Sequence, residues 1–121
     1  MGNDGLSLDV SELGEAGALV RPRGDLSIVT APKLAARVGQ LVGRGRTRIA
    51  IDLREVAFLD SSGLGFLLNS RRRAMRAGGT MVLVVPVDGQ VRRVFELTRL
   101  ERAFDLAPDV DEALRALGVA D

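Results

Sequence analysis

The stretch Leu59-Asp60-Ser61-Ser62-Gly63-Leu64-Gly65 decides how the middle of this 121-residue chain folds. Apolar residues precede it and helically spaced apolar residues follow it, so it predicts the passage from a buried strand into an amphipathic helix. Asp and Ser are favoured at helix N-caps, and the unpaired N–H groups of a first helical turn accommodate an anion. The stretch therefore predicts a helix start that displays a serine hydroxyl beside a carboxylate.

The two glycines of this stretch, Gly63 and Gly65, are unfavourable inside a helix. Each costs about 1 kcal/mol relative to alanine. Two explanations compete: a cap architecture that merely needs tight packing, and a binding site whose bare backbone another molecule approaches closely. We interpret the pair of glycines as favouring the second explanation.

Outward from this stretch, strand patterns alternate with helix patterns. The predicted strands are Leu6–Leu13, Ala18–Arg23 (ended by Gly24), Arg48–Leu53, Met81–Val85 and a short one near Phe104–Leu106. The predicted helices begin near Thr30, Ser62, Val91 and Val110. We therefore expect an α/β fold in a single domain over residues 1–121. It should contain a mixed, largely parallel sheet of four to five strands, with an early hairpin, packed with about four helices.

Composition excludes several classes of function. The chain has no His and no Cys, which removes the commonest catalytic base, zinc–thiolate sites and disulfides. Its net charge is +1 and its only aromatic residues are four Phe, so neither a global field nor stacking platforms favour nucleic acid. No apolar run is long enough to cross a bilayer and no signal pattern opens the chain. We expect a cytoplasmic protein that binds neither nucleic acid directly nor a membrane.

A catalytic role for Ser61 finds no partners in the sequence. A G-x-S-x-G elbow is absent, no His can complete a triad, and nothing places Lys33, the only lysine, near the serine. A serine held in this way is better explained as a substrate than as a catalyst. We expect no catalytic residues and no enzymatic activity.

Cofactor and metal motifs also fail. Leu68 stands where the dinucleotide fingerprint that starts at Gly63 needs a small residue, and no Gly-Lys-Ser/Thr occurs. Asp52, Glu55 and Asp60 lack the spacing of a metal-binding loop, so solvated carboxylates are the better interpretation. We expect no cofactor and no metal.

A basic stretch follows on the motif helix: Arg71, Arg72, Arg73 and Arg76. A solvated helix face is the simpler interpretation. The alternative is a surface for an acidic partner, because the guanidinium group suits bidentate contacts with carboxylates.

Three segments together make the chain resemble the STAS-domain anti-sigma factor antagonists of bacteria, over nearly its whole length. Gly24-Asp25-Leu26 through Thr30-Ala31 is similar to the family's G-[DE]-L-D-x-x-T-A segment. Asp60-Ser61-Ser62-Gly63-Leu64-Gly65 matches the D-S-[ST]-G-L-G signature residue for residue, and 91–98 is similar to a third segment. The resemblance implies a STAS-type fold.

The resemblance also implies a switch. In such proteins the serine directly after the Asp, here Ser61, is phosphorylated by an anti-sigma factor that is itself a serine kinase. The unphosphorylated antagonist binds that anti-sigma factor and frees the sigma factor; a phosphatase restores the bound state. ATP and Mg²⁺ belong to the partner. The residues implied around the phosphoacceptor and in partner binding are Asp25, Ser27, Thr30, Asp60, Ser62, Gly63, Leu64 and Gly65.

One departure keeps an alternative open. The family commonly has Asp where this chain has Ser27, which leaves Asp25 and Asp60 as the acidic residues near the phosphoacceptor. The alternative is a STAS module that is not phosphorylated and instead binds a nucleotide or acts as a scaffold in a signalling assembly. Leu and Phe side chains near the motif, expected to be exposed, also allow a weak homodimer.

Overall fold

The computed structural model describes residues 5–119. The strands are β1 (Leu6–Leu13), β2 (Gly17–Leu26), β3 (Arg48–Asp52), β4 (Val56–Leu59), β5 (Thr80–Val84) and β6 (Asp105–Ala107). The helices are α1 (Ala31–Gly43), α2 (Ser61–Arg76), α3 (Gly89–Thr98) and α4 (Val110–Leu117), with a 3₁₀ turn at Leu100–Ala103. No helix within this described part combines the length and apolarity that a membrane span requires.

The strands form one mixed, largely parallel sheet in the order β1-β2-β3-β5-β6. Among the strand pairs within residues 5–119, only the β1–β2 hairpin is antiparallel, as expected from the sequence. The far edge of β2 is shared by two strands, because residues 17–20 pair with β3 whereas residues 24–26 pair with β4. The long strand β2 thus connects the main sheet to the short strand that leads into α2.

The sheet has six strands rather than the four to five expected. A buried strand is expected before the motif, but the predicted range ends at Leu53. The strand that directly enters the motif is the separate β4, whose inner residues Ala57 and Phe58 are both exposed while its ends are buried. A four-residue segment with this pattern does not alternate, so periodicity does not reveal it.

The expected end of β2 at Arg23 is also wrong. Gly24 adopts a φ of +114°, and the register with β4 shifts between Gly24 and Asp25. A side chain at Gly24 would overlap the carbonyl oxygen of Gly5, which directly precedes β1. The glycine therefore bulges the strand and lets it continue to Leu26.

Helices cover the sheet unequally. On one face α1, α2 and α3 bury a large apolar cluster that includes Val20, Leu26, Leu64 and Phe95. On the other face α4 packs over the residues of β3, β5 and β6 that point away from this cluster. Each fully buried Leu or Phe contributes about 1.5–3 kcal/mol, so the larger cluster dominates the stability of the half that carries the serine motif.

A buried carboxylate joins β3 to β2. Asp52 ends β3 with a side chain that is only 1% exposed. Arg54 donates to it through Nε (2.9 Å), Nη2 (3.0 Å) and its backbone N–H (3.0 Å). Arg21 of β2 donates from the other side through Nε at 3.1 Å. These bonds fix the turn that carries the chain from β3 into β4.

The pKa of Asp52 reflects these contacts. Burial alone raises this pKa, but the hydrogen bonds from the Arg54 side chain and backbone and from Arg21 outweigh burial, so the pKa lies below its usual range. The same ion pair raises the pKa of Arg54. Because the folded pKa lies below the unfolded value of about 3.9, the contribution to stability is complete above that value. It is lost as the pH falls through the folded pKa.

We expect Asp52→Asn to lower the free energy of unfolding at pH 7 by about 3 kcal/mol, because two arginines lose a buried partner. Urea denaturation measures the change, and the difference from wild type should shrink below about pH 4. Asp9→Asn is the control, since Asp9 pairs with Arg23 at the exposed surface and should cost less than about 1 kcal/mol. Equal losses for both variants would contradict the assignment.

Gly63 serves packing within the molecule. A Cβ at this position would overlap the carbonyl oxygen of Leu26 on β2 and approach Cδ1 of Leu59 to 2.8 Å. A Cβ on Gly65, in contrast, would meet nothing within 4 Å, and Gly65 is exposed. The interpretation that both glycines admit another molecule is therefore wrong for Gly63, whose bare backbone lets the first turn of α2 lie against β2.

We expect Gly63→Ala to destabilise the fold by about 1–3 kcal/mol, because the new methyl group forces α2 away from β2. Gly65→Ala should instead raise stability by about 0.5–1 kcal/mol, through helix propensity alone. Thermal or urea unfolding of the two variants provides a matched comparison. A neutral Gly63→Ala variant would show that α2 does not need this close approach.

Candidate functional site

The serine hydroxyl lies at the outer start of α2. Asp60 is the N-cap in an extended conformation, and its Oδ1 accepts a hydrogen bond from the Gly63 N–H at 2.8 Å. Its carbonyl also accepts from the Leu64 N–H at 3.1 Å. Ser61 is therefore the first helical residue, and it is exposed. This is the helix start predicted from the sequence.

Strand register places the two motif regions side by side. Asp25 pairs with Phe58 and Leu26 with Leu59, so β2 and β4 end at the same edge. The Asp60 N–H also points to the Leu26 carbonyl, at a long 3.4 Å. The loop after β2, residues 27–30, therefore lies next to the segment that presents Ser61.

Hydrogen bonds within this loop define its shape. The buried Thr30 hydroxyl donates to the Asp25 carbonyl at 2.6 Å and accepts from the Ser27 N–H at 2.9 Å. The Ser27 hydroxyl accepts from the Val29 N–H at 3.3 Å. Ser27 thus forms the side-chain turn that an Asp would form, but adds no charge. Thr30 precedes α1 as predicted, yet its hydroxyl closes the loop and does not cap the helix.

The tip of this loop is apolar and exposed. Ile28 is 64% exposed and Val29 is 76% exposed. Apolar side chains held outward by an internally bonded loop indicate a contact surface, since free water solvates them poorly. We call Ile28 and Val29 the apolar loop tip.

The residues that resemblance assigns to this site fall into two groups. Asp25, Ser61 and Gly65 are exposed, and Ser27, Asp60 and Ser62 are half-buried. Thr30, Gly63 and Leu64 are buried, so they shape the site from beneath. The expectation of an exposed Leu next to the motif is wrong, because Leu59 and Leu64 belong to the core. Phe58, which is 43% exposed, is the apolar neighbour at the surface.

Sequence reasoning missed Gln90 in the first turn of α3. Its Oε1 accepts from the Leu59 N–H at 2.9 Å, and its Nε2 donates to the Leu59 carbonyl at 2.9 Å. Gln90 directly precedes the third motif region, which was its only available signal. Periodicity says nothing about a half-buried amide at a helix start.

The arginine stretch lies away from the serine. Arg71 is half-buried and its Nη2 lies 3.9 Å from Asp105, and Arg73 lies over Gly39 of α1. Ten residues of helix separate Ser61 from Arg71, about 15 Å. Of the four arginines only Arg71 is thus half-buried, and Arg72, Arg73 and Arg76 are exposed cations.

Two acidic residues belong to the segments that meet at Ser61. The Asp60 carboxylate is adjacent, and Asp25 stands at the end of β2. Within residues 5–119, no three acidic side chains gather closely enough to hold a metal ion. Asp52, one of the carboxylates considered for such a role, is occupied by arginines.

Comparison with known proteins agrees with this geometry. The STAS domain model matches residues 8–113. An anti-sigma-B factor antagonist of Staphylococcus aureus is 27% identical over 82 residues, which cover 68% of this chain and 75% of that protein.

Two solved structures share the fold. A crystal structure of an anti-sigma factor antagonist from Mycobacterium paratuberculosis superposes with a TM-score of 0.81 and 29% identity, covering 93% of this chain and 94% of that one. Bacillus SpoIIAA in its phosphorylated form superposes with a TM-score of 0.64 and 20% identity, covering 91% of this chain and 98% of that one. With the family model spanning most of the chain, from β1 to α4, this protein belongs to the STAS domain family.

Proposed function

We propose that this protein is an anti-sigma factor antagonist switched by phosphorylation of Ser61. The unphosphorylated form binds an anti-sigma factor and so releases a sigma factor. The anti-sigma factor acts as the serine kinase: the γ-phosphoryl group of ATP moves to the Ser61 oxygen, ADP leaves, and the hydroxyl proton passes to a base of the kinase. A phosphatase hydrolyses the phosphoserine and reactivates the protein.

One observation carries this proposal: Ser61 is exposed at the start of α2, next to Asp60 and beside the apolar loop tip. An exposed hydroxyl beside an apolar contact surface can be modified by a partner that docks there. The names of the relatives add support, since they are antagonists of anti-sigma factors and one of them, SpoIIAA, has been solved in a phosphorylated form. Within this proposal the chain is a binding module without catalytic activity of its own.

Phosphorylation should leave the fold intact. A phosphoryl group adds about −1.5 to −2 charges at neutral pH. Placed on Ser61, at the start of α2, this charge gains about 0.3–1 kcal/mol from the helix dipole. The neighbouring Asp60 carboxylate opposes that gain, but Ser61 is exposed and Asp60 is only half-buried, so solvent screens the repulsion.

In a complex the same phosphate is decisive. A like-charge contact at 4 Å costs about 4 kcal/mol per unit pair at an effective dielectric near 20. An affinity near 1 μM corresponds to only about 8 kcal/mol. The phosphate, together with Asp60 and Asp25, creates such a repulsion against any acidic group of the partner and must also lose water. Local repulsion is therefore sufficient to release the partner.

The helix start offers little to the alternative, a nucleotide site. Asp60 already accepts from the Gly63 N–H and places its own negative charge where a nucleotide phosphate would bind. Calorimetry with GTP and ATP tests this alternative directly. Tight stoichiometric binding without a kinase would favour it over the switch.

We expect Ser61→Ala to bind the anti-sigma factor constitutively and to accept no phosphate, whereas Ser61→Asp should lose binding yet keep a native circular dichroism spectrum. The measurement is phosphate transfer from labelled ATP by anti-sigma factor kinases encoded in the same genome, followed by affinity titration. Ser11→Ala is the matched control, because its hydroxyl is also exposed but lies on β1, outside the candidate site. Equal labelling of Ser61→Ala and wild type would refute the site.

The apolar loop tip gives an independent prediction. Val29→Asp should weaken binding of the same kinase by at least about tenfold, because a charge enters a dehydrated interface. Its free energy of unfolding should stay within about 0.5 kcal/mol of the wild-type value. Leu97→Asp is the control: Leu97 is 77% exposed, almost the same as Val29, but lies near the far end of α3. Equal losses of affinity in both variants would place the docking surface elsewhere.

A further inference from the structure

The outer edge of the short strand β4 needs hydrogen-bond partners, and Gln90 provides them. Within the described residues, β4 pairs only with β2, so its other edge lacks a neighbouring strand. Leu59, its last residue, is 1% exposed. A buried N–H and C=O without partners would each carry a desolvation cost, so this edge needs a donor and an acceptor from elsewhere.

The Gln90 amide supplies both groups at once. It accepts from the Leu59 N–H and donates to the Leu59 carbonyl, each at 2.9 Å. Opposite residues of an antiparallel ladder exchange the same two bonds when they form a hydrogen-bonded pair. The side chain thus takes the place of one residue of a missing strand.

This contact reaches the phosphoacceptor through only one intervening residue. Leu59 is fixed on one edge by its pairing with Leu26 and on the other by Gln90. Asp60 follows as the N-cap, with only a long 3.4 Å backbone bond to β2, and Ser61 begins α2. The orientation of the hydroxyl therefore depends on how firmly Leu59 is held.

We propose that Gln90 is a positioning residue for Ser61, which ties the phosphoacceptor segment to α3 so that the hydroxyl meets the kinase in one orientation. This inference rests on the proposed function for its kinetic consequence. Phosphoryl transfer depends on in-line alignment, and small misplacements of a reacting group lower turnover strongly. Under the proposed function, docking relies on the apolar loop tip, whereas the Gln90 amide bonds to Leu59.

Gln90→Met tests the proposal because it keeps the length of the side chain and removes both hydrogen bonds. We expect kcat for Ser61 phosphorylation to fall about tenfold to a hundredfold, while KM stays near the wild-type value. Gln90→Glu should not restore kcat, since its second carboxylate oxygen faces the Leu59 carbonyl without a proton to donate. A Gln90→Glu variant with wild-type kcat would overturn the two-bond geometry.

Arg92→Met is the matched control. The Arg92 side chain also starts on α3 and makes two bonds to backbone, to the carbonyls of Pro86 (2.7 Å) and Val85 (3.3 Å), but these lie after β5. Like Gln90→Met, this variant should unfold at a lower temperature than wild type, but it should keep the wild-type kcat. Equal losses of kcat in Gln90→Met and Arg92→Met would show that Gln90 stabilises the fold but does not position Ser61.

Amide hydrogen exchange on the isolated protein separates this proposal from the proposed function. In Gln90→Met the Leu59 amide should exchange about tenfold faster, and the Gly63 and Leu64 amides, which donate to Asp60, should also exchange faster, while amides of β3 keep their protection. Arg92→Met should leave Leu59 protected. Unchanged exchange at Leu59 in Gln90→Met would overturn the positioning role. If no kinase labels wild-type Ser61, the proposed function fails and this exchange comparison alone decides the role of Gln90.

Discussion

The pairing of β4 with the end of β2 is the constraint on which the rest of the site depends. It brings the carboxyl ends of two parallel strands to one edge, so that the loop after β2 and the start of α2 become neighbours. Without it, nothing would bring Asp25 and Ser61, which are 36 residues apart in the chain, to the same surface. The two motif regions act as one site only because of this register.

Several features of the fold support that pairing. The bulge at Gly24 lets β2 continue past its pairing with β3, and the Asp52 ion pairs set the turn into β4. Gly63 then allows α2 to lie directly against Leu26. These contacts are internal and serve stability. The Ser61 hydroxyl and the apolar loop tip are exposed instead, and they are the features through which we propose that a partner binds.

The site therefore combines a loop shaped by internal hydrogen bonds with a negative charge that modification of Ser61 would change. Ser27 forms the loop turn with a hydroxyl, so the loop keeps its shape without the carboxylate common in the family. The negative charge before modification then comes from Asp25 and Asp60. A phosphate on Ser61 would roughly double it, which makes the modification the largest electrostatic change available at this surface.

Much of this could be predicted from local pattern. Alternation predicts the hairpin of β1 and β2, and helical spacing predicts the four helices. The preference of Asp and Ser for N-caps predicts the helix start at Ser61. All three patterns act over a few residues. The serine motif also carried the resemblance to the family. These features depend on neighbouring residues along the chain, so the amino-acid sequence alone determined them.

Only the tertiary structure decided the rest. Four features depend on contacts between residues far apart in the chain. They are the strand β4, the continuation of β2 beyond Gly24, the role of Gly63 and the hydrogen bonds between Gln90 and Leu59. A glycine that ends a strand and a glycine that bulges one look alike in sequence, because the difference lies in what approaches the missing side chain. For the same reason, the role of the half-buried Gln90 amide can be inferred only when the strand edge beside it is known.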